Sequence, residues 1–385
     1  MQYKSNIIGK ILTPVNRRKF RGFVDKYNGD FAAKKLTCWE QFVAILLGQI
    51  GNCSSLREIE STIKFHSKEQ YHLGIKKNVS RSTLANANCT RNWRIYRDLF
   101  LDLIGNLKTK EQIQTKEVIE IIDSTPILLD LNQHKWCEQT RNIKGLKVHV
   151  LFNSTENIPT YFTITSPKIN DINEGRNMEI KQGSTYVFDK GYTDYNWYYD
   201  IDEKGAYFVT RLKVNAKVEA ISEIQKTDEL ISSQVIQFCN KVPRGGKVNK
   251  YHKKPLKKVI VQREGKVPLI IITNDFKRSD QEIAELYKRR WQIELFFKWI
   301  KQNLKIKKFL GKSENAIKTQ ICIAMISFVL LRLAQILSDF CKNMPLKTLI
   351  TIAKNGLFSR LTLKNESKKY QKNPNQLQFY FANSA

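Results

Sequence analysis

A chain of 385 residues with 65 Lys and Arg against 36 Asp and Glu carries a formal charge of +29. Its length allows roughly one to three domains, and 42% hydrophobic residues suffice for a sizeable core. So positive a balance speaks of partners rather than of fold, and points to nucleic acid or an anionic membrane surface. No membrane role is expected: MQYKSNIIGK has no apolar core of signal-peptide length, and the longest apolar run, 321–331, is shorter than a bilayer requires and precedes Arg332. That run reads as a buried helix. The seven cysteines (Cys38, Cys53, Cys89, Cys137, Cys239, Cys322, Cys341) are scattered and odd in number, without a C-x-x-C pair. Neither a disulfide frame nor a zinc site is indicated, and reduced thiols in a cytoplasm are the simplest reading.

Residues 1–112 read as a helical, basic domain; within 1–115 there are 20 Lys and Arg against 9 Asp and Glu. Trp39, Phe42, Leu46 and Leu47 form an apolar helix face after Thr37, and Leu56, Ile59 and Ile63 form another after Ser54 or Ser55. Ser80 can cap a short helix whose first turn shows Arg81, Ser82 and Thr83, side chains suited to phosphates and base edges in a major groove. Basic clusters flank it: Arg17, Arg18, Lys19 and Arg21 before, Arg91, Arg94 and Arg97 after. A helical bundle with a solvated basic surface is the plainer alternative.

Over 113–213 the periodicity changes. KEVIEIID reads as a strand ending at Asp123, and LKVHVLFN and PTYFTITSP as two more, separated by turns that suit an antiparallel meander. INDINEGRNMEI reads as a short helix, STYVFD as a strand ending at Asp189, YTDYNWYYDIDEKG as a helix closed by Gly205, and AYFVTRLK as a strand. Three strands, helix, strand, helix, strand is the order of a ribonuclease H-like core, an α/β fold with a mixed sheet flanked by helices. In that order Asp123 and Asp189 stand at neighbouring strand ends.

Residues 214–276 hold KVEAISEIQ, DELISSQVIQFC, LKKVIVQRE and VPLIIITNDF, mostly strand-like, so a β-rich segment is expected there. Within it, 237–258 carries eight cations and no acid: Lys241, Arg244, Lys247, Lys250, Lys253, Lys254, Lys257 and Lys258. Gly245 and Gly246 make the middle a flexible loop. It reads either as a solvated charge run or as a loop gripping DNA phosphates.

Residues 277–310 centre on SDQEIAELYKRRWQIELFFKWIKQNL. Ser279 with Glu282 makes a capping box, and Ile283, Leu286, Ile293, Phe297, Ile300 and Leu304 form one buried stripe. Beside it lies a line of Tyr287, Arg290, Glu294 and Lys301, all within roughly 40° of Glu294 at about 100° per residue. Trp291, about 60° from Glu294, offers itself for base stacking or as a core tryptophan. Residues 311–385 read as a helical C-terminal region, with an apolar helix over 317–340 and a basic, poorly ordered tail ending YQKNPNQLQFYFANSA.

The spacing Y-x2-R-x3-E-x6-K, with Asp123 in IIDST and Asp189 in YVFDKGY, resembles the YREK signature of DDE transposases of the insertion-sequence family four group. The likeness covers nearly the whole chain and shows no break in the acidic set. It implies Asp123, Asp189 and Glu294 as catalytic metal ligands, the first two 66 positions apart (189 − 123) and the last two 105 apart (294 − 189). It also accounts for an all-β insertion in the second gap.

Three converging carboxylates repel one another, and hard divalent cations resolve this. Two Mg²⁺ ions, with Mn²⁺ able to substitute, suit in-line phosphoryl displacement. By resemblance, Tyr287, Arg290 and Lys301 grip the phosphate of a nucleotide flipped from the duplex. The group's expected activity is cleavage of transposon ends, through a hairpin intermediate, and strand transfer into target DNA. Its expected partners are double-stranded DNA, as terminal inverted repeats and target, and a second copy in a homodimeric synaptic complex. The expected location is a bacterial cytoplasm, on the nucleoid when DNA is bound. Two alternatives remain open: a non-catalytic DNA-binding protein derived from a transposase, and a metal-dependent nuclease without strand transfer. Asp130 and Asp194 read as structural or surface acids.

Overall fold

A computed structural model of the protein describes residues 6–111, 118–243, 246–304, 306, 308–337, 341 and 343–359. The chain divides into two compact units: Met1–Leu103, Asn303–Gly311 and Asn315–Ala385 form one, and Ile104–Gln302 with Lys312–Glu314 the other.

The first unit is helical. It begins with α1 (Ile7–Ile11), α2 (Arg17–Lys26), α3 (Cys38–Ile50), α4 (Leu56–Phe65), α5 (Ser67–Gln70), α6 (Arg81–Thr90) and the start of α7 (Arg94–Glu111). The expected caps are present: Thr37 and Glu40 form a full capping box on α3, Ser55 accepts the Glu58 N–H on α4, and Ser80 accepts the Thr83 N–H on α6. Each satisfies an N–H that the first turn leaves without a helical partner. More of α3 is buried than its apolar face requires, since every residue from Cys38 to Ile50 lies inside. The polar ones are matched: Gln41 Nε2 donates to Asn88 Oδ1 at 2.8 Å and Gln41 Oε1 accepts from Arg91 Nη1 at 3.1 Å.

Much of the expected basic surface of this unit is engaged within it. The Arg17 guanidinium stacks 3.8 Å from the Trp39 ring centroid, Lys19 pairs with Asp102 at 2.7 Å, and Arg97 pairs with Asp98 at 2.9 Å. Arg81 and Ser82, by contrast, are exposed at the head of α6.

The second unit is built on one ten-stranded sheet. Its first part runs β1 (Ile119–Leu128), β2 (Gly145–Asn153), β3 (Ile158–Thr165), α8 (Asp171–Asn177), β4 (Thr185–Phe188), α9 (Tyr195–Glu203) and β5 (Tyr207–Arg211). β1 pairs antiparallel with β2 and parallel with β4, and β4 pairs parallel with β5, giving the order β3-β2-β1-β4-β5 of a ribonuclease H-like core. Gly205 closes α9 with φ +65°, a left-handed conformation that glycine adopts freely. Phe188, Trp197, Tyr198 and Phe208 pack as one aromatic core beneath β4, with ring centroids of Phe188 and Trp197 4.7 Å apart.

β1 does not stop at Asp123 but continues to Leu128. Its pairing with β4 ends at Ile122, opposite Phe188, while β2 keeps pairing with it up to Leu128, opposite Gly145.

The 214–276 segment forms β6 (Val218–Ala220), β7 (Gln225–Lys226), β8 (Ile231–Phe238), β9 (Pro255–Arg263) and β10 (Lys266–Thr273). These strands continue the core sheet instead of making a sheet of their own: β10 pairs antiparallel with β5, and the order runs on through β9, β8 and β6. From β10 the chain enters α10 (Asp280–Arg289) and α11 (Trp291–Asn303).

The helical unit is completed by α12 (Glu314–Leu337) and α13 (Leu346–Gly356). At 24 residues α12 extends the apolar run at both ends and is long and apolar enough to cross a membrane. Some 78% of that apolar window is buried inside the protein, as in a core helix. The tail expected to be poorly ordered lies outside the described residues, as does Arg244.

Candidate active site

The sheet register places the first two aspartates. Ile122 of β1 lies opposite Phe188 of β4 in a parallel pair, so Asp123 and Asp189 follow at the same end of adjacent strands, about one inter-strand spacing of 4.8 Å apart in backbone position. Asp123 is held by its own chain: Oδ1 accepts the Ser124 N–H at 2.8 Å.

Glu294 arrives on the helix. The Ser279–Glu282 capping box starts α10, and Ile283, Leu286, Ile293, Phe297, Ile300 and Leu304 are all buried, as their spacing requires. The helix is not uniform, however. Arg290 falls between α10 and α11, where the backbone stays right-handed (φ −51°, ψ −30°) but its N–H bonds to Tyr287 O and its own carbonyl accepts from Ile293 N. These three-residue bonds are one tight 3₁₀ turn inside the helix. From that turn Arg290 Nη2 reaches Glu294 Oε1 at 2.5 Å and Nη1 reaches Asp123 Oδ2 at 3.4 Å. Tyr287 OH donates to Asp189 Oδ1 at 3.4 Å, and its ring lies 5.9 Å from the Arg290 guanidinium. Lys301 Nζ donates to Thr125 Oγ1 at 2.5 Å. Thr125 is two residues beyond Asp123 on β1 and therefore on the same face of that strand.

The cluster is electrostatically loaded. Burial pushes the Asp123 carboxyl up to about 6; the Ser124 N–H and Arg290 oppose this, and the charges of Glu294 and Asp189 add to it. Burial also pushes the Tyr287 phenol up to about 12, against Arg290 and Arg211 and with Asp189. Burial alone lowers the pKa of Arg290, but its bond to Glu294 and the neighbouring Tyr287 and Asp123 more than reverse that, so it stays charged.

Among the described residues no group of three or more His, Cys, Asp or Glu side chains stands close enough to hold a metal ion. The three acids are joined through Arg290 and Tyr287 rather than oxygen to oxygen. The donors nonetheless have the chemistry a divalent cation takes, hard carboxylate oxygens in mutual repulsion, and a guanidinium already supplies positive charge between two of them.

The sequence profile of the transposase DDE domain matches residues 114–330, more than half of the chain. The chain belongs to that family. This transposase is 37% identical over 278 residues to "Putative transposase y4zB" of Sinorhizobium fredii, spanning 72% of this chain and 77% of that one. It is 27% identical over 229 residues, 59% of each chain, to "Probable transposase for insertion sequence element IS5377" of Geobacillus stearothermophilus. It is 26% identical over 263 residues to "Putative transposase for insertion sequence element IS4SA" of Synechocystis, spanning 66% and 72% of the two. These relatives are consistent with the insertion-sequence family four group. Residues 4–76 match a domain of unknown function. Among solved structures, the piggyBac transposase synaptic complex with hairpin DNA is similar over 94% of this chain and 84% of that one, at 12% identity and a TM-score of 0.45. By its family match and these sequence relatives the protein is a DDE-type DNA transposase, an enzyme class that depends on a divalent metal.

Three features of the site were not anticipated. Arg211, the last residue of β5, acts on Tyr287 although nothing in FVTR marks it; only the register, with Thr210 opposite Phe188, brings it beside Asp189. Thr125 partners Lys301. Behind Asp123, Asp171 at the start of α8 accepts from Ser124 Oγ at 3.0 Å and from Lys147 Nζ at 2.9 Å. The fully buried His149, opposite Ser124 on β2, lies 3.6 Å from the same carboxylate. An IIDST motif next to a strand could have suggested that its hydroxyls are used; their partners are 47 and 176 positions away and leave no local signal.

Trp291 is 57% exposed, so the core-tryptophan reading does not hold; the stripe closes with Ile293 and Phe296 instead. Asp194 caps α9 and pairs with Arg176, and Asp130 accepts from Asn132 and Gln133, both structural roles as expected. In the insertion, Lys254 is engaged by Glu203, Asp202 and the Tyr199 ring, and Lys250 lies over Tyr199. Lys257 pairs with Asp280 and Lys258 with Gln234. Among the described residues, Lys241, Lys247 and Lys253 have no such partner.

Proposed function

We propose that this transposase cuts both ends of an insertion sequence and joins them to target DNA by a cut-and-paste route. Asp123, Asp189 and Glu294 are the catalytic carboxylates and metal ligands of this reading, and Tyr287, Arg290 and Lys301 grip phosphate beside the scissile bond. The observation that carries it is the linkage itself: one guanidinium spans Asp123 and Glu294, and the phenol one turn away holds Asp189.

The divalent metal, two Mg²⁺ ions with Mn²⁺ able to substitute, supplies Lewis-acid activation of the attacking water or 3′-hydroxyl and stabilises the departing oxygen. The chain does the rest. Arg290, a planar fork, can exchange a carboxylate oxygen for a phosphate oxygen without losing its charge partner. Lys301, anchored on Thr125, places a point charge on the same strand face as Asp123. Tyr287 stays protonated, so its hydroxyl can donate to a phosphate oxygen or to Asp189. Exposed Trp291 stands ready to stack on a displaced base, which suits a hairpin intermediate.

In this reading residues 1–112 bind the terminal inverted repeats, with Arg81 and Ser82 at the contact. Residues 113–213 and 277–310 form the catalytic core, and 214–276 contribute Lys241, Lys247, Lys250 and Lys253 to the DNA surface. Residues 311–385 support a homodimeric synaptic complex. The protein acts on chromosomal and element DNA in the cytoplasm.

The test is cleavage of DNA carrying the element's ends in Mg²⁺. Glu294→Ala is expected to lower the rate by about 1,000-fold or more, and undiminished cutting by that variant would refute the assignment. Joining of the cut 3′ ends to a plasmid separates transposition from simple nuclease action.

A further inference from the structure

A cleft of about 840 Å³ opens in the α/β unit between three segments: the turn after Asp189 (Thr193–Asn196), the chain leaving β5 (Lys213, Asn215, Lys217) and the insertion loop (Asn240, Val242, Pro243 and Lys247–Asn249). Its position follows from topology. β4 and β5 run parallel with Phe188 opposite Thr210, so Asp189 and Arg211 leave the sheet at the same end on adjacent strands. Arg211 acts on Tyr287, and two residues further on Lys213 lines the cleft. A cationic path thus leads from the acid cluster to the cleft without leaving one end of the sheet.

The charge in the cleft is unspent. Asp194, its one carboxylate, is committed to the Trp197 N–H and to Arg176. Lys213, Lys217 and Lys247 make no ion pair or side-chain hydrogen bond among the described residues. Three ammonium groups lining one cleft suit the charge of a phosphodiester chain, and the amides of Asn215 and Asn240 can donate to and accept from base edges. The volume is that of a small-ligand pocket. A duplex does not enter such a space; a few nucleotides of extended single strand do.

We propose that this cleft binds a short single-stranded stretch of DNA next to the cut site, guided there past Arg211. The proposal rests on the acid cluster being the cutting site, and it adds a strand-specific subsite of which only Lys247 belongs to the expected DNA loop.

The experiment uses the full chain, without metal, and two fluorescent probes: a blunt duplex and the same duplex with a three-nucleotide single-stranded extension. The wild-type protein is expected to hold the extended probe about tenfold more tightly. Lys213→Ala/Lys217→Ala is expected to abolish that preference while binding the blunt duplex within about twofold of wild type. On the extended probe its salt dependence should fall by about 1.4 in slope, at about 0.7 for each of two single-strand phosphates released. Lys217→Glu, confined to an exposed side chain, should do the same with an unchanged melting temperature. Equal weakening on both probes, or a preference that survives the substitutions, overturns the proposal. Glu294→Ala protein should keep the preference, so an error in the acid assignment appears in cleavage and an error in the cleft appears in binding.

Discussion

Arg290 Nη1 lies 3.4 Å from Asp123 Oδ2, across 167 positions of sequence, while the same guanidinium holds Glu294 one turn along its own helix. A cation placed between two carboxylates, with a 3₁₀ turn aiming it, offsets the repulsion between the two acids and opposes the burial that pushes the Asp123 carboxyl up. Arg290→Ala is expected to leave them uncompensated and to lower cleavage about 100-fold. Arg290→Lys should recover only part of this, because a single ammonium cannot bridge both acids as a fork does. Single-turnover cleavage of end-bearing DNA measures both, and full activity in the lysine variant would remove the bridging role.

Stability should respond to acid in two opposing ways. Asp123, raised to about 6 by burial first, binds its proton more readily when folded, so its contribution is present at low pH and lost as pH rises from about 4 to about 6. His149, lowered to about 4 chiefly by burial, with Lys147 in the same sense and Asp171 against, behaves oppositely. Its contribution is present above about 6.5 and lost as pH falls toward 4. Asp123→Asn should therefore steepen the acid-side loss of stability, and His149→Gln should flatten it, by up to about 1.4 kcal/mol per pH unit each. Denaturant melts from pH 4 to 7 decide it; a shared slope in all three proteins contradicts both assignments.

Gly145 opens β2 opposite Leu128, with φ +148°. A Cβ there falls 1.9 Å from the carbonyl oxygen of Ile127, which is backbone and cannot give way. Gly145→Ala should cost about 3 kcal/mol or more and loosen the far end of the strand that carries Asp123. Calorimetry or urea unfolding reads this directly, and a change under about 1 kcal/mol would show that the β1–β2 pair can shift.

More than half of Trp291 is open to solvent. Trp291→Ala should change folding stability by no more than about 0.5 kcal/mol. It should weaken binding of DNA with an unpaired base at its end by about tenfold, a stacking contribution of 1–3 kcal/mol. An equal loss on fully paired DNA would assign the ring to backbone contact instead.

How much of this could be read from the residues depends on how local the cause was. Capping signals such as Thr37 with Glu40, Ser80 and Ser279 with Glu282 act within one turn, and the helices start where they say. The stripe from Ile283 to Leu304 is set by period alone and is buried as read. The strand order of the core followed from alternation and turn residues, and with it the neighbouring ends of β1 and β4. What escaped is what only pairing decides. The extension of β1 beyond Asp123 depends on β2, the fusion of the insertion to the core depends on β5 meeting β10, and the arrival of Arg211 beside Tyr287 depends on register. Lys254, Lys257 and Lys258 looked free because their partners (Asp202 and Glu203, Asp280, and Gln234) are 23 to 52 positions away (280 − 257; 254 − 202); charge counts see composition, not company. The place of Trp291 on the helix allows either reading, and it is the packing of Ile293 and Phe296 that leaves the ring outside the stripe.

The pairing of β5 with β10 has a further bearing on how such a chain can change. The detour of more than fifty residues leaves the core from Arg211 and returns opposite it, at Ile271, and Asn274 then fastens the return by bonding to Phe208 N and Ala206 O. The way out and the way back stand side by side, like the two posts of a gate. Whatever is hung on them can be lengthened, trimmed or exchanged while α10 still starts from the same place. The insertion is free to be the variable part of the molecule because Glu294 takes its bearings from the gateposts.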